Sequence, residues 1–201
     1  MVYNPSEPLV LQGALITGFS GDDFFEFCQA NPDLRIERNP HGEIIIMTPA
    51  GFVSSAQSLE IQFQLITWYK KYKLGRVAEP SAGYNLSDKS TLSPGASWFS
   101  LAKWNQVPAA SQRKFLPICP EFVVEVLSPT DQLDDAQAKM EQWLANGVQL
   151  GFLLNDQPET AYLYRLGQPV EVVNGFDTEL SGEPVLPSFQ LNLREVRKAA
   201  N

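Results

Sequence analysis

The chain has 201 residues, 44% hydrophobic and 19% charged, with a formal net charge of −8. That is globular composition with enough apolar side chains for a core, and it excludes a disordered, collagen-like or coiled-coil chain. The length fits a single domain over residues 1–201. The acidic balance argues against a protein that coats nucleic acid by charge alone, because Lys and Arg dominate phosphate binding. It leaves room for a nucleic-acid enzyme with a local basic patch and a divalent cation.

Cys28 and Cys119 form no CxxC pair and are too far apart for a metal knuckle, so reduced, mostly buried thiols are expected. His41 is the only histidine. That excludes a His-rich zinc site, and its place after Pro40 and before Gly42 reads as a turn. No run approaches the roughly 18 apolar residues of a membrane span, and no secretory signal is visible. A cytoplasmic protein without a membrane partner is the expectation.

In chain order, residues 1–19 read as an irregular lead-in. Ser20 is a helix N-cap, followed by Asp22 and Asp23 in the first turn, and Asn31-Pro32 stops that helix. Leu34 to Glu37 and Glu43 to Met47 read as a hairpin around Asn39-Pro40-His41-Gly42. A long helix is predicted from Ser54 to about Lys73, with Gly75 as its stop. Its apolar arc holds Ile61, Leu65, Trp68, Tyr69 and Tyr72 and continues to Leu59, Phe63 and Ile66; its polar arc holds Gln57, Glu60, Gln64, Thr67 and Lys71.

Residues 76–99 read as two strands around a turn at 86–90, and Ser111 to Cys119 as a loop or short helix. Glu121 to Leu127 is the clearest strand. A helix over about 131–146 follows, capped by Thr130 or Asp131 and closed by Gly147. Val148 to Leu154 is another strand, and Ala161 to Arg165 with Pro169 to Val173 make a last hairpin before an extension over 176–201. Strand–helix–strand order with hairpins predicts an α/β fold, a central mixed sheet flanked by helices.

Glu125 interrupts an apolar strand, where a carboxylate is costly unless a cation, metal or hydrogen bonds compensate it. A functional acid and a structural salt bridge both fit. Lys139 lies beside the core-facing arc of the next helix, about 40° from Trp143 on an ideal wheel. Its ammonium can aim at the end of the strand carrying Glu125, although spacing favours a surface pair with Asp135. Glu60, on the polar arc, reads as a solvated acid unless that arc borders a cleft. No Walker loop, GxGxxG or GxSxG elbow is present, and Trp68, Trp98, Trp104 and Trp143 read as core.

Gly42-Glu43-Ile44-Ile45-Ile46-Met47-Thr48-Pro49, Ser93-Pro94-x-Ala96-Ser97-Trp98, Pro120 to Pro129, Ala138-Lys139-Met140 and Asn146-Gly147-Val148 occur in the order of one family. Over roughly residues 20–175 the chain resembles the Uma family of restriction endonuclease-like proteins, in the PD-(D/E)XK nuclease superfamily. The resemblance implies a restriction endonuclease-like fold with additional N-terminal and C-terminal hairpins. It also implies hydrolysis of nucleic-acid phosphodiester bonds, DNA first, with Mg²⁺, or Mn²⁺ as substitute. Glu125 matches the second acidic metal ligand, Lys139 the lysine that orients the nucleophile, and Glu60 an acid on the first core helix.

The first acid of the family pattern follows Pro94, where this chain has Gly95. That departure predicts weak metal binding and weakened or lost cleavage, with Asp88 in the preceding turn as a substitute ligand. Three readings follow: a magnesium-dependent endonuclease; an inactive pseudo-nuclease that binds nucleic acid or protein; and a structural α/β protein with Glu125 in a salt bridge. Cutting both strands of a duplex calls for two sites, so a homodimer fits. The last hairpin offers an edge that could pair across a two-fold.

Overall fold

Local sequence explains much of the chain's secondary structure. At the first long helix the Ser20 hydroxyl accepts from the Asp23 amide at 3.1 Å, and the Asp23 carboxylate accepts from the Ser20 amide at 2.9 Å. This reciprocal capping box satisfies two backbone donors that helix geometry leaves unpaired. The computed structural model describes residues 8–128 and 131–199.

In chain order, β1 (Leu9–Leu11) and α1 (Ala14–Thr17) lead to α2 (Gly21–Ala30), β2 (Arg35–Arg38), β3 (Ile44–Met47) and α3 (Phe52–Tyr72). Four short strands follow: β4 (Arg76–Ala78), β5 (Tyr84–Asn85), β6 (Thr91–Leu92) and β7 (Ala96–Phe99). Then come α4 (Leu101–Trp104), a 3-10 turn (Ser111–Arg113), β8 (Phe122–Val126) and α5 (Leu133–Ala145). The chain continues through β9 (Leu150–Asp156), β10 (Glu159–Arg165), β11 (Glu171–Asn174), β12 (Glu179–Ser181), β13 (Gln190–Asn192) and α6 (Leu193–Ala199).

These elements fall into two units. The first takes the described residues up to Pro49, together with Ser81–Ser93 and Val107–Cys119. Its five strands are ordered β1-β3-β2-β6-β5, and Phe24, Ile36 and Ile44 form its core with Phe115 and Ile46 packed against them. The lead-in expected to be irregular therefore contributes a strand: Leu9, Val10 and Leu11 pair antiparallel with Ile46, Ile45 and Ile44. Three apolar residues carry too little periodicity to announce a strand; the free edge of β3 supplies its hydrogen bonds.

The second unit takes Ala50–Pro80, Pro94–Gln106 and Pro120 onward. Its six strands are ordered β11-β10-β9-β8-β7-β4, antiparallel except for the parallel pair β8 and β9. The order α3, β4, β7, β8, α5, β9 is the α/β arrangement expected, a mixed sheet flanked by helices. The two strands predicted over 76–99 are instead four short ones. Pro80 and Pro94 interrupt the ladder because they donate no hydrogen bond, and β5 and β6 pair in the first unit.

Side-chain alternation gives this sheet two faces. Phe122, Val124, Leu150, Phe152 and Leu154 share one core with Ile61, Leu65 and Trp68 of α3 and with Phe189, Leu191 and Val196 of the C-terminal extension. Val123, Glu125, Gly151 and Leu153 project from the other face, which α5 covers. Met140 occupies the space over Gly151, where an added Cβ would meet its Cε at 2.3 Å.

The end of α3 departs from expectation. Lys73, at φ 54°, takes the left-handed cap. Gly75 serves the next step: at φ +76° its absent side chain leaves room for the Phe99 carbonyl oxygen, which a Cβ would approach to 2.1 Å. β4 can then return beside β7.

Candidate active site

Glu125 is the fourth residue of the central strand β8, opposite Leu153 of the parallel neighbour β9. Phe122, Val123 and Val124 are fully buried, whereas Glu125 and Val126 are half-buried. The Glu125 charge is compensated locally. Its Oε1 accepts from the Trp143 indole Nε1 at 3.0 Å and lies 3.1 Å from the Lys139 ammonium. The side chains of Glu125 and Lys139 are only 13% and 21% exposed, so solvent screens the pair weakly.

Helix geometry explains how α5 delivers both donors. Lys139 and Trp143 are four residues apart and therefore stack on one face, which α5 turns to the sheet. Met140 and Trp143 are buried in that face, and the lysine stem runs beside them to the carboxylate. Sequence spacing had favoured Asp135 as the Lys139 partner; the structure brings the lysine to Glu125. From sequence alone Trp143 reads as core. Its indole donor also orients Glu125, a role signalled by its i+4 spacing from Lys139. The expected caps for this helix differ: Gln132 is the N-cap, Asp131 accepts from the Ser128 amide, and Thr130 lies outside the described residues.

Glu60 is not brought to this pair. It sits on α3, which packs against the opposite face of the sheet, and its carboxylate accepts from Gln64 Nε2 at 2.9 Å. Gln64 in turn donates to the Asn192 carbonyl and accepts from the Asn192 amide, tying α3 to β13. Asp88 belongs to the first unit and accepts from the amide and hydroxyl of Ser90 within its own turn. His41 is exposed in the hairpin turn, as read from its neighbours.

Gly95 lies one step before β7, across from Glu125 in the continuation of the β7–β8 ladder. A Cβ added there would stand 2.9 Å from the Val124 carbonyl oxygen and 3.9 Å from the Glu125 Cα. Any side chain at this position requires the backbone to shift.

A profile of the family described as "Putative restriction endonuclease" matches residues 22–194. A solved structure described as a putative nuclease belonging to DUF820, from Anabaena variabilis ATCC 29413, superposes with a TM-score of 0.74 at 19% identity. The match covers 91% of this chain and 99% of the other. It shows a shared restriction endonuclease-like fold. Among curated proteins the chain has no match.

Nucleases of this kind generally use a divalent metal. Mg²⁺ needs oxygen ligands from carboxylates in near-octahedral geometry. Among the described residues no three His, Cys, Asp or Glu side chains converge on one point. Beside Glu125 stands a glycine, and one oxygen of Glu125 is already engaged by an ammonium and an indole. This donor set does not fit a two-carboxylate metal centre. The arrangement places an ammonium beside a carboxylate at the end of the central strand, where the cation can meet an anion.

Proposed function

Because the chain belongs to the family described as putative restriction endonucleases, we propose that it is a nuclease-fold domain that engages nucleic acid, DNA first, without efficient phosphodiester cleavage. Gly95 carries this reading. The family's first acid is missing at the position next to Glu125, and the Val124 carbonyl closes the space a replacement would need. Lys139 then supplies the positive charge that meets a phosphate oxygen, and Glu125 and Trp143 hold its stem in place.

One observation favours a second reading, a magnesium-dependent endonuclease with reduced turnover. The chain keeps Glu125 and Lys139 as a pair near the C-terminal end of the central strand, and such a pair costs desolvation that an apolar pair would not. Plasmid incubated with the protein and Mg²⁺ or Mn²⁺ separates the two. No nicking by the wild type, together with gel-shift binding weakened by Lys139→Ala, supports the first reading. Wild-type turnover abolished by Glu125→Ala establishes the second. Gly95→Asp is expected to lower the melting temperature rather than restore cleavage, because its Cβ collides with backbone.

A further inference from the structure

The outer face of α3 carries an apolar row that the sheet does not use. The sequence-based wheel merged two rows into one arc. The structure separates them: Ser54, Gln57, Ile61, Leu65 and Trp68 are buried, whereas Phe52 is 85%, Leu59 69%, Phe63 63% and Ile66 38% exposed. At about 100° per residue the exposed row points directly away from the sheet. With Ala56 and Lys70 it runs 52, 56, 59, 63, 66, 70, alternating steps of four and three. That alternation is the seam of a paired helix. Single exposed apolar residues need no explanation, but a contiguous row on one helix marks a contact surface.

We propose that this row packs against the same row of a second copy of the chain, with the two α3 helices antiparallel about a two-fold axis. Area supports a second copy as the occupant. Two phenylalanines of roughly 150–250 Å² and two aliphatic side chains, each reduced to its exposed share, together present on the order of 400 Å². Two such rows with their flanks cover on the order of 1,000 Å², the lower end of a specific interface.

Side-chain chemistry sets the direction. The row is its own complement when reversed about position 61: Leu59 then meets Phe63, Ala56 meets Ile66, and Phe52 meets Lys70. A small residue faces a large one, and the lysine ammonium lies over the phenylalanine ring. A parallel pair would crowd Lys70, Lys71 and Lys73 of both copies at one end. The antiparallel pair separates these clusters by on the order of 30 Å, at 1.5 Å of rise per residue, well beyond the Debye length. The contact is independent of whether the Glu125 site hydrolyses anything.

Sedimentation of the full chain tests this. The wild type is expected at twice 22.4 kDa. Phe63→Glu and Leu59→Glu each should weaken self-association at least about thirtyfold, as expected for a central anchor. Their circular dichroism and melting temperature should hold near those of the monomer, since both positions face solvent. Val172→Glu, on the exposed edge strand β11, should remain a dimer. A single-chain mass for the wild type up to about 100 µM would overturn the proposal. So would a dimer that survives both α3 variants, or one that dissociates with Val172→Glu.

Discussion

At the scale of single residues, the half-buried Glu125–Lys139 ion pair is costly to break. Removing one member of such a pair leaves a carboxylate short of a partner in a poorly solvated place, which costs about 1–3 kcal/mol. Replacing both members by uncharged groups of similar shape is close to neutral. Lys139→Met is therefore expected to lower the free energy of urea unfolding by about 1–3 kcal/mol, whereas Glu125→Gln with Lys139→Met should recover most of that loss. Equal losses in the single and double variants would mean that the lysine stem, rather than the charge pair, holds α5 to the sheet. Glu125 was legible in the sequence because a lone acid in a run of Phe and Val demands compensation. Its compensating donors were not, because a helical wheel ranks the neighbours of a lysine on its own helix and cannot see across to a strand.

At the scale of elements, the C-terminal extension is held to the β10 end of the sheet by charge. The Arg197 guanidinium of α6 bonds both oxygens of Glu159, and its other arm reaches Asp177 at 2.9 Å. This bidentate partner holds the Glu159 carboxyl below the usual carboxylate range. A depressed folded-state pKa stabilises the protein above the unfolded-state value, about 4.3 for glutamate, and that stabilisation is lost as pH falls through the lower folded value. Glu159→Gln is thus expected to melt lower than the wild type at pH 7. The difference should shrink as the pH drops below about 4 and vanish once Glu159 is protonated in both the folded and the unfolded state. A difference that is constant with pH in a thermal-melt series would refute this linkage.

Sequence periodicity gave α2, α3, α5 and the β2–β3 and β10–β11 hairpins within a few residues of their observed bounds. It failed where an element has two or three residues, as in β1, β5 and β6, because these exist only as partners of longer strands. It failed again on α3, where apolar residues on opposite sides of one helix read as a single broad face.

At the scale of the whole molecule, a charge of −8 on each copy opposes self-association. Added salt screens that repulsion while leaving the apolar row intact. The dimer fraction should therefore rise between about 50 mM and 300 mM NaCl, in contrast to any binding of nucleic acid, which should fall over the same range. Sedimentation and gel shift on one preparation measure both. A dimer that weakens with salt would point to an interface held by ion pairs instead of α3. Among the described residues no helix is long and apolar enough to cross a membrane.

Residue type and spacing alone were enough for the α/β class, the order of the main elements, the family resemblance, and the two features on which the proposed function rests: an acid in an oily strand and a glycine where the family resemblance implies a second acid. Those are properties of residue type and spacing, which local physics reads directly. Folding in three dimensions fixes which groups meet Glu125, that Glu60 lies across the sheet from it, and which of the two apolar rows of α3 is buried. Each of these depends on which faces of distant elements are pressed together, and one-dimensional spacing carries no information about that.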